Sequence, residues 1–372
     1  MRSEWDANKP YNQLPLLPPA EDLETRLVMR ACVSANRRLA ELNRAVQLLP
    51  NPGLFVNLLP MLEAKGSSEI ENIVTTTDQL FRYAGMESAA DPATKEALRY
   101  RTALREGFDA LATRPLSTTT AERVCSTIRG QEVRVRAGLG TMIANQATGD
   151  IVYRPPEGED RLRTLLANWE AYLHADDGVD PLIKLGVAHY QFEAIHPFTD
   201  GNGRTGRVLN ILYLISSSLL DLPVLYLSRF ILKNKSEYYR LLHAVTADAA
   251  WEPWVLFMLN AVEDTAKWTL DKLDAVRDLV SATETLIRSS RPGLPAGELV
   301  PLIFELPYCR ITSIVDRGVA KRQTASSYLR QLVEIGVLEE LQVGREKLYL
   351  NVRLLDVMAD DAHGSSSSRN DA

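Results

Sequence analysis

Residues Ile195–Arg207 read IHPFTDGNGRTGR, which sets a histidine, a carboxylate, two glycines around an asparagine and two arginines in one short run. Pro197 disfavours a helix that continues through His196, so the chain must turn there. Asp200-Gly201-Asn202-Gly203 favours a tight loop. A second helix then runs from Arg204, and its N-terminus offers free backbone N–H groups and a dipole that attracts anions. The glycines let backbone approach a ligand closely. Arg204 and Arg207, three apart, share a helix face and can reach one polyphosphate. Asp200 suits a Mg²⁺ ion that bridges phosphates. His196, at the rim, is the group able to take a proton near neutral pH. Together these residues suit nucleotidyl or phosphoryl transfer to an incoming hydroxyl. On spacing alone, a plain corner between two helices accounts for them as well. No G-x-x-x-x-G-K-[ST] occurs, which excludes a Walker-type phosphate loop. His189 has no evident third ligand to make a zinc site with His196, and reads as a core or supporting histidine.

These groups need a scaffold, and the chain supplies a mainly helical one. The first 20 residues, rich in Pro and Asn, read as an extended arm. A helical pattern starts near Glu21, with Leu27, Val28, Ala31 and Ala35 at helical spacing. LLPNPG at 48–53 interrupts it, and a further short helix is expected to begin near Ser68. Two more helices fill 94–130, split near RPLSTTT. The run from Val135 to Pro156 reads as a β-hairpin turning at Thr148-Gly149-Asp150. Helices return from Asp160 to Ala266. VLNILYLI at 208–215 is apolar almost all round and is expected to be buried. A long helix leads to a last module over 294–357, with a helix over about 322–334 and a two-stranded wing around QVGRE. The tail GSSSSRND is low in complexity and is expected to be disordered.

The chain has 372 residues, 45% hydrophobic and 24% charged, with a net charge of −6, so any basic surface must be local. The three cysteines are scattered, which argues against a disulfide framework and fits a reducing, cytoplasmic setting. No signal peptide or membrane-spanning run is evident.

HPFTDGNGRTGR matches the H-P-F-x-[D/E]-G-N-G-R-x-x-R motif of the Fic family at every fixed position, and the chain is identified as resembling that family. QFEAIHPF resembles the helix that carries the family's histidine. GTMIAN…IVYRPP resembles its flap hairpin, which aligns a target backbone by strand addition, although Gly140 to Ala144 depart from the commoner wording. NKSEYYRLLHAV resembles the segment that lines the adenine pocket, with Tyr238 and Tyr239 as candidates for its wall. The resemblance implies a Fic-type helical bundle with a hairpin flap and AMP transfer from ATP to a Ser, Thr or Tyr hydroxyl of a target protein, self-modification included. It implies that His196 is the general base and that Asp200 binds Mg²⁺. It further implies that Gly201, Asn202 and Gly203 form the anion hole, that Arg204 meets the inner phosphates, and that Arg207 meets the γ-phosphate. Thr205 and Gly206 complete the ATP-binding run. Some relatives transfer other groups, and a lysine in place of the second glycine marks kinase-like ones. Here that position is Gly203.

SSEIEN carries two readings. Ser68-x-x-Glu71 is a capping box that would begin a helix. Ser67-x-x-x-Glu71-Asn72 also matches the Fic inhibitory motif, [S/T]-x-x-x-E-[G/N]. There the resemblance implies that Glu71 pairs with Arg207, occupies the γ-phosphate site and keeps the chain self-inhibited. Glu71 would alternatively align a water for removing AMP. YNQLPLLPP and SSEIENIVTTTDQLF further resemble a Fic subgroup with a C-terminal winged helix. The expected organisation is an N-terminal helical region at 1–110 with the inhibitory helix at 67–72, a Fic domain at 111–266, a helical linker at 267–293, a winged-helix-like domain at 294–357 and a tail at 358–372. Relatives often form homodimers. Lys321, Arg322 and Arg330 suit phosphate contacts, so a winged-helix DNA-binding regulator with a nucleotide-sensing Fic domain stands as the alternative.

Overall fold

The computed structural model describes residues 5–49, 53–84, 87–144, 148–343 and 346–359. The expected disordered tail, apart from 358 and 359, lies outside the described residues, as do positions 145–147 of the hairpin. The N-terminal helices are α1 (Arg26–Gln47), α2 (Gly53–Ile70), α3 (Thr77–Tyr83), α4 (Pro92–Leu111) and α5 (Thr118–Arg129). A hairpin of β1 (Ile143–Ala144) and β2 (Ile151–Tyr153) follows. Next come α6 (Glu159–His174), α7 (Pro181–Ile195), α8 (Asn202–Ser216), α9 (Leu227–Lys233), α10 (Lys235–Asp248) and α11 (Trp251–Ser290). The chain then forms α12 (Ala296–Glu305), β3 (Tyr308–Cys309), α13 (Ile311–Asp316), α14 (Arg322–Glu334), β4 (Glu339–Val343), β5 (Glu346–Leu350) and α15 (Val352–Ala359).

Local chemistry sets several helix starts. Thr25, Asp91, Ser117 and Asp180 each accept a hydrogen bond from a first-turn N–H of α1, α4, α5 and α7, and α4 and α7 add proline near their first position. α1 buries Val28, Cys32, Ala35, Leu39, Leu42 and Val46, while Leu27 is 60% exposed. The helix therefore starts later than Glu21 and turns Leu27 to solvent. α8 is buried as expected: Val208, Ile211, Leu212 and Leu214 are all at 0% exposure, packed against α7, α4 and α5.

Three features depart from the expectations. α2 runs from Gly53 to Ile70, so SSEIEN ends a helix instead of starting one, and Ser68 caps nothing. Glu71 and Asn72 form the turn after it, with Asn72 at φ 62° and Ile73 N–H donating to Ser68 O at 3.0 Å. That left-handed exit is a helix C-terminal geometry, which asparagine tolerates. The capping-box reading is thereby overturned. Second, the expected long helix begins earlier than the linker's start at 267: residues 267–290 continue the 40-residue α11 from Trp251, with Trp268, Leu273, Val276 and Ile287 buried. Third, the wing strands β4 and β5 belong to an antiparallel sheet of order β3-β5-β4 whose third strand, Tyr308–Cys309, was not expected. Tyr308 hydroxyl also donates to Asp78, and Arg310 Nη2 donates to Arg82 O at 3.3 Å, tying this module to α3.

Candidate functional site

α7 and α8 pack side by side, and the turn between them carries His196 to Gly201. His196 ends α7 in the left-handed region, at φ 50° and ψ 58°, with its N–H on Phe192 O at 3.0 Å. A histidine there is strained, and Arg136 holds the turn. Its backbone N–H donates to Pro197 O at 2.9 Å, and its guanidinium donates to His196 O at 2.8 Å and Pro156 O at 2.6 Å. Asn202 clasps the loop from the other side. Its Oδ1 accepts from Phe198 N–H and its Nδ2 donates to Phe198 O, both at 2.8 Å. Gly201 sits at φ 84°, and a Cβ there would meet Cys125 Sγ at 3.3 Å, so conformation and space both call for glycine. Burial, with the positive Arg136 nearby, pushes the His196 imidazole down to about 4. It is therefore neutral at pH 7 and able to accept a proton.

Arg207 projects from α8 and is 1% exposed. Its Nη2 donates to Glu71 Oε1 at 2.8 Å and to Ser67 O at 2.9 Å, and its Nε donates to Ser67 Oγ at 2.8 Å. The C-terminal end of α2, negative by its dipole, thus meets the cation. Burial opposes the Glu71 charge, but Arg207 outweighs it and holds the carboxyl below its usual range. A Cβ on Gly203 would collide with Glu71 Oε1 and come within 3.0 Å of Arg207 Nη1. The Glu71 carboxylate therefore rests over the first turn of α8, where an anion would bind. α2 is anchored about one turn before Ser67 by Glu63, at 0% exposure. Glu63 accepts from Tyr100 hydroxyl at 2.9 Å, from Ser228 N–H at 2.8 Å and from Ser228 hydroxyl at 2.5 Å.

A second ionic group borders the loop. Arg204 pairs with Glu96, and Arg129 bridges Glu96 at 3.7 Å and Asp200 at 2.5 Å. Arg204 is 2% exposed, whereas the Asp200 side chain is 56% exposed. Among the described residues no group of three or more His, Cys, Asp or Glu side chains could enclose a metal. Asp200 therefore fits a Mg²⁺ ion only as one ligand beside phosphate oxygens and water, the usual arrangement for nucleotide-borne Mg²⁺.

A cavity of about 650 Å³ opens beside this centre. Glu71 and Glu193 line the end near Arg207, while Tyr153, Tyr190, Tyr239 and His243 line its further reach between the hairpin, α7 and α10. Burial raises the Glu193 carboxyl to about 7.

The structure brings His196, Asp200, Gly201, Gly203, Arg204, Arg207, Ser67 and Glu71 to one place. Asn72 lines the cavity and accepts from Lys235 Nζ at 3.0 Å. Tyr239 lines the cavity too, but Tyr238 does not. It is 1% exposed in the core, with its hydroxyl 2.9 Å from His189 Nε2. Thr205 and Gly206 face the packed interior: Thr205 is 0% exposed, and a Cβ on Gly206 would approach Glu193 Oε1 to 2.6 Å. The Asn202 side chain is spent on the loop, through its two bonds to Phe198. Sequence reasoning missed Arg136, Glu96, Arg129, Glu193 and the Glu63 anchor. Only the alternation of VRVRAG hinted at Arg136.

A mainly helical bundle whose buried helix pair presents this loop, flanked by a small hairpin, is a Fic fold. A solved Fic family protein from Desulfovibrio desulfuricans superposes with a TM-score of 0.57 at 20% identity, over 90% of this chain and 98% of that one. Fic-1 from Caenorhabditis elegans, residues 134–508, gives 0.52 at 20% identity, over 67% and 74%. At these identities the likeness speaks for the fold. The profile described as Fic/DOC family matches residues 121–214, Fic/DOC family N-terminal matches 29–109, and the SoFic-like protein adenylyltransferase C-terminal domain matches 279–354. The chain belongs to the Fic/DOC family. Protein adenylyltransferase Fic of Drosophila virilis is 30% identical over 153 residues, 40% of this chain and 29% of that protein. Protein adenylyltransferase fic-1 of Caenorhabditis briggsae is 40% identical over 122 residues, 32% of this chain and 21% of that protein. The matches thus span less than a third of the length of these curated relatives. No described helix is long and apolar enough to cross a membrane.

Proposed function

We propose that this chain is a protein adenylyltransferase that moves AMP from ATP to a hydroxyl side chain and is held back by its own Glu71. The observation that carries this reading is the complete loop from His196 to Arg207 with Arg207 already engaged by Glu71 at 2.8 Å. The curated names of the relatives support it. His196, neutral and fixed at the α7 terminus, takes the proton of the incoming Ser, Thr or Tyr hydroxyl. The oxygen attacks the α-phosphorus, the α–β phosphoanhydride bond breaks, and pyrophosphate leaves with the electron pair. The first turn of α8 binds the phosphate oxygens through its backbone N–H groups, Gly203 permits that approach, and Arg207 takes the γ-phosphate once Glu71 withdraws. Positioning and charge neutralisation do most of the work, as in other phosphoryl transfers. Asp200, once released from Arg129, would hold Mg²⁺, which would supply charge neutralisation to the phosphates. Leu139, Met142 and Val152, exposed on the hairpin and the loop before it, suit an extended target segment laid beside it. Glu71 would also order a water for AMP removal, and the chain works in the cytoplasm, a reading that the scattered cysteines support.

The test supplies Glu71→Gly protein and a lysate with ATP labelled at either the α or the γ position. Protein labelled from α alone supports nucleotidyl transfer. Labelling from γ above that of the lysate alone would make the chain a phosphotransferase, and no label from either position above that background would sink the reading.

A further inference from the structure

The N-terminal arm packs behind part of the cavity wall. Tyr11 N–H donates to Arg154 O at 3.0 Å, just beyond β2, and Asn12 Oδ1 accepts from Glu157 N–H at 2.8 Å. These bonds fix the register of the arm on the hairpin. Two aromatic contacts accompany them. The Trp5 ring meets His243 edge-on, with centroids 5.0 Å apart, and the Tyr11 ring meets Tyr153 at 6.3 Å. His243 and Tyr153 both line the cavity. Their other faces are thus backed by the arm.

The arm is built in. Leu14 and Leu17 are buried. Asn168 grips Leu17 with a pair of bonds, Oδ1 accepting from its N–H at 2.7 Å and Nδ2 donating to its carbonyl at 2.9 Å. Gln191 Nε2 donates to Pro15 O at 2.8 Å and Arg161 Nη2 to Leu14 O at 3.0 Å. Gln191 and Arg161 belong to α7 and α6, the frame of the site. Among the described residues the buried Trp5 Nε1 has no acceptor, so the indole is placed there for its shape and ring contact, or for a donor bond completed when the cavity fills.

We propose that Trp5 and Tyr11 are specificity-determining positioning residues that back the wall at the base end of the nucleotide cavity. They act through His243 and Tyr153, and their ring contacts set how large a base the cavity admits. This inference rests on the nucleotide-transfer reading above. The Trp5 and Tyr11 rings meet His243 and Tyr153, not Arg207 or His196, so these two residues act on nucleotide binding and leave the chemical step alone.

The experiment uses the full chain carrying Glu71→Gly as parent, with Trp5→Ala, Trp5→Phe and Tyr11→Ala added singly. ATP and N6-benzyl-ATP binding are measured by calorimetry, and AMP transfer gives KM and kcat; melting curves confirm that each variant is folded. An edge-on ring contact is worth enough to predict about a fivefold rise in Kd and KM for ATP in Trp5→Ala. We expect kcat within about twofold of the parent, relative gain for N6-benzyl-ATP, and recovery in Trp5→Phe. A parent that binds ATP while Trp5→Ala and Tyr11→Ala bind it equally well overturns the arm's role. A fall in kcat with unchanged KM overturns it too. A parent that binds no ATP overturns the nucleotide-transfer reading, and this inference with it.

Discussion

Glu71→Gln separates the charge of the Glu71–Arg207 contact from its bulk. The amide keeps the size of the side chain and still offers an oxygen to Arg207 Nη2, which lies 2.8 Å from Glu71 Oε1. It removes the negative charge that holds Arg207, while the two bonds from Arg207 to Ser67 remain. A charge-assisted hydrogen bond contributes about 1.5–3 kcal/mol and a neutral one about 0.5–1.5. The Glu71 side chain is 33% exposed, so screening places the difference near the lower end, at about 1 kcal/mol. If that energy separates the closed arrangement from the one that accepts a γ-phosphate, Glu71→Gln gives about five- to tenfold faster AMP transfer. Glu71→Gly, which also vacates the first turn of α8, exceeds it. The assay is the initial rate of label transfer from α-labelled ATP at saturating nucleotide, for all three proteins. Because Arg207 holds the Glu71 carboxyl low, wild-type inhibition persists down to the ordinary carboxylate range. A Glu71→Gln rate equal to wild type beside an activated Glu71→Gly would refute the reasoning, since the block would then be steric.

Three further predictions concern the scaffold. Arg136→Met, in the Glu71→Gly background, removes the guanidinium from the carbonyls of His196 and Pro156. We expect kcat to fall by about 10- to 100-fold with KM for ATP little changed, and an unchanged kcat would show that the turn holds itself. Asn202→Ala deletes both bonds to the Phe198 backbone, and denaturant unfolding should register a loss of about 2–3 kcal/mol, against none if water replaces the amide. Burial pushes His189 down to about 3 from 6.5. Its folded pKa lies below the unfolded one, so the unfolded chain binds more protons between those values and His189 costs stability as pH falls from 6.5 toward 3. The stability of His189→Gln relative to wild type should therefore improve over that range, and a constant difference would contradict the assignment.

The loop from His196 to Arg207 was legible because its chemistry is local: proline, glycine and charge spacing act within two turns of helix. The identity of Glu71 was legible as well, but the direction of its helix was not. A capping pattern describes only the backbone it sits on, and α2 had already been running since Gly53. Residues that act across the fold left little trace. Glu96 and Arg129 come from α4 and α5 to meet Arg204 and Asp200. Glu63 resembles a surface glutamate until Tyr100 and Ser228 are brought to it. Tyr238 and Tyr239 are adjacent, and only the rotation of α10 decides that the second faces the cavity and the first packs in the core. Helical spacing likewise gave α1 without saying that Leu27 would face solvent while Val28 and Ala35 are buried.

The central claim is that one buried arginine is shared between an internal glutamate and the nucleotide, with His196 supplying the base. Wild type, Glu71→Gly and Glu71→Gly/His196→Ala should be incubated side by side with α-labelled ATP, Mg²⁺ and a lysate, and the label on protein scored. The account predicts strong labelling by Glu71→Gly, little by wild type and none above background by the double variant. Equal labelling by wild type and Glu71→Gly, or labelling that survives the loss of His196, would contradict it.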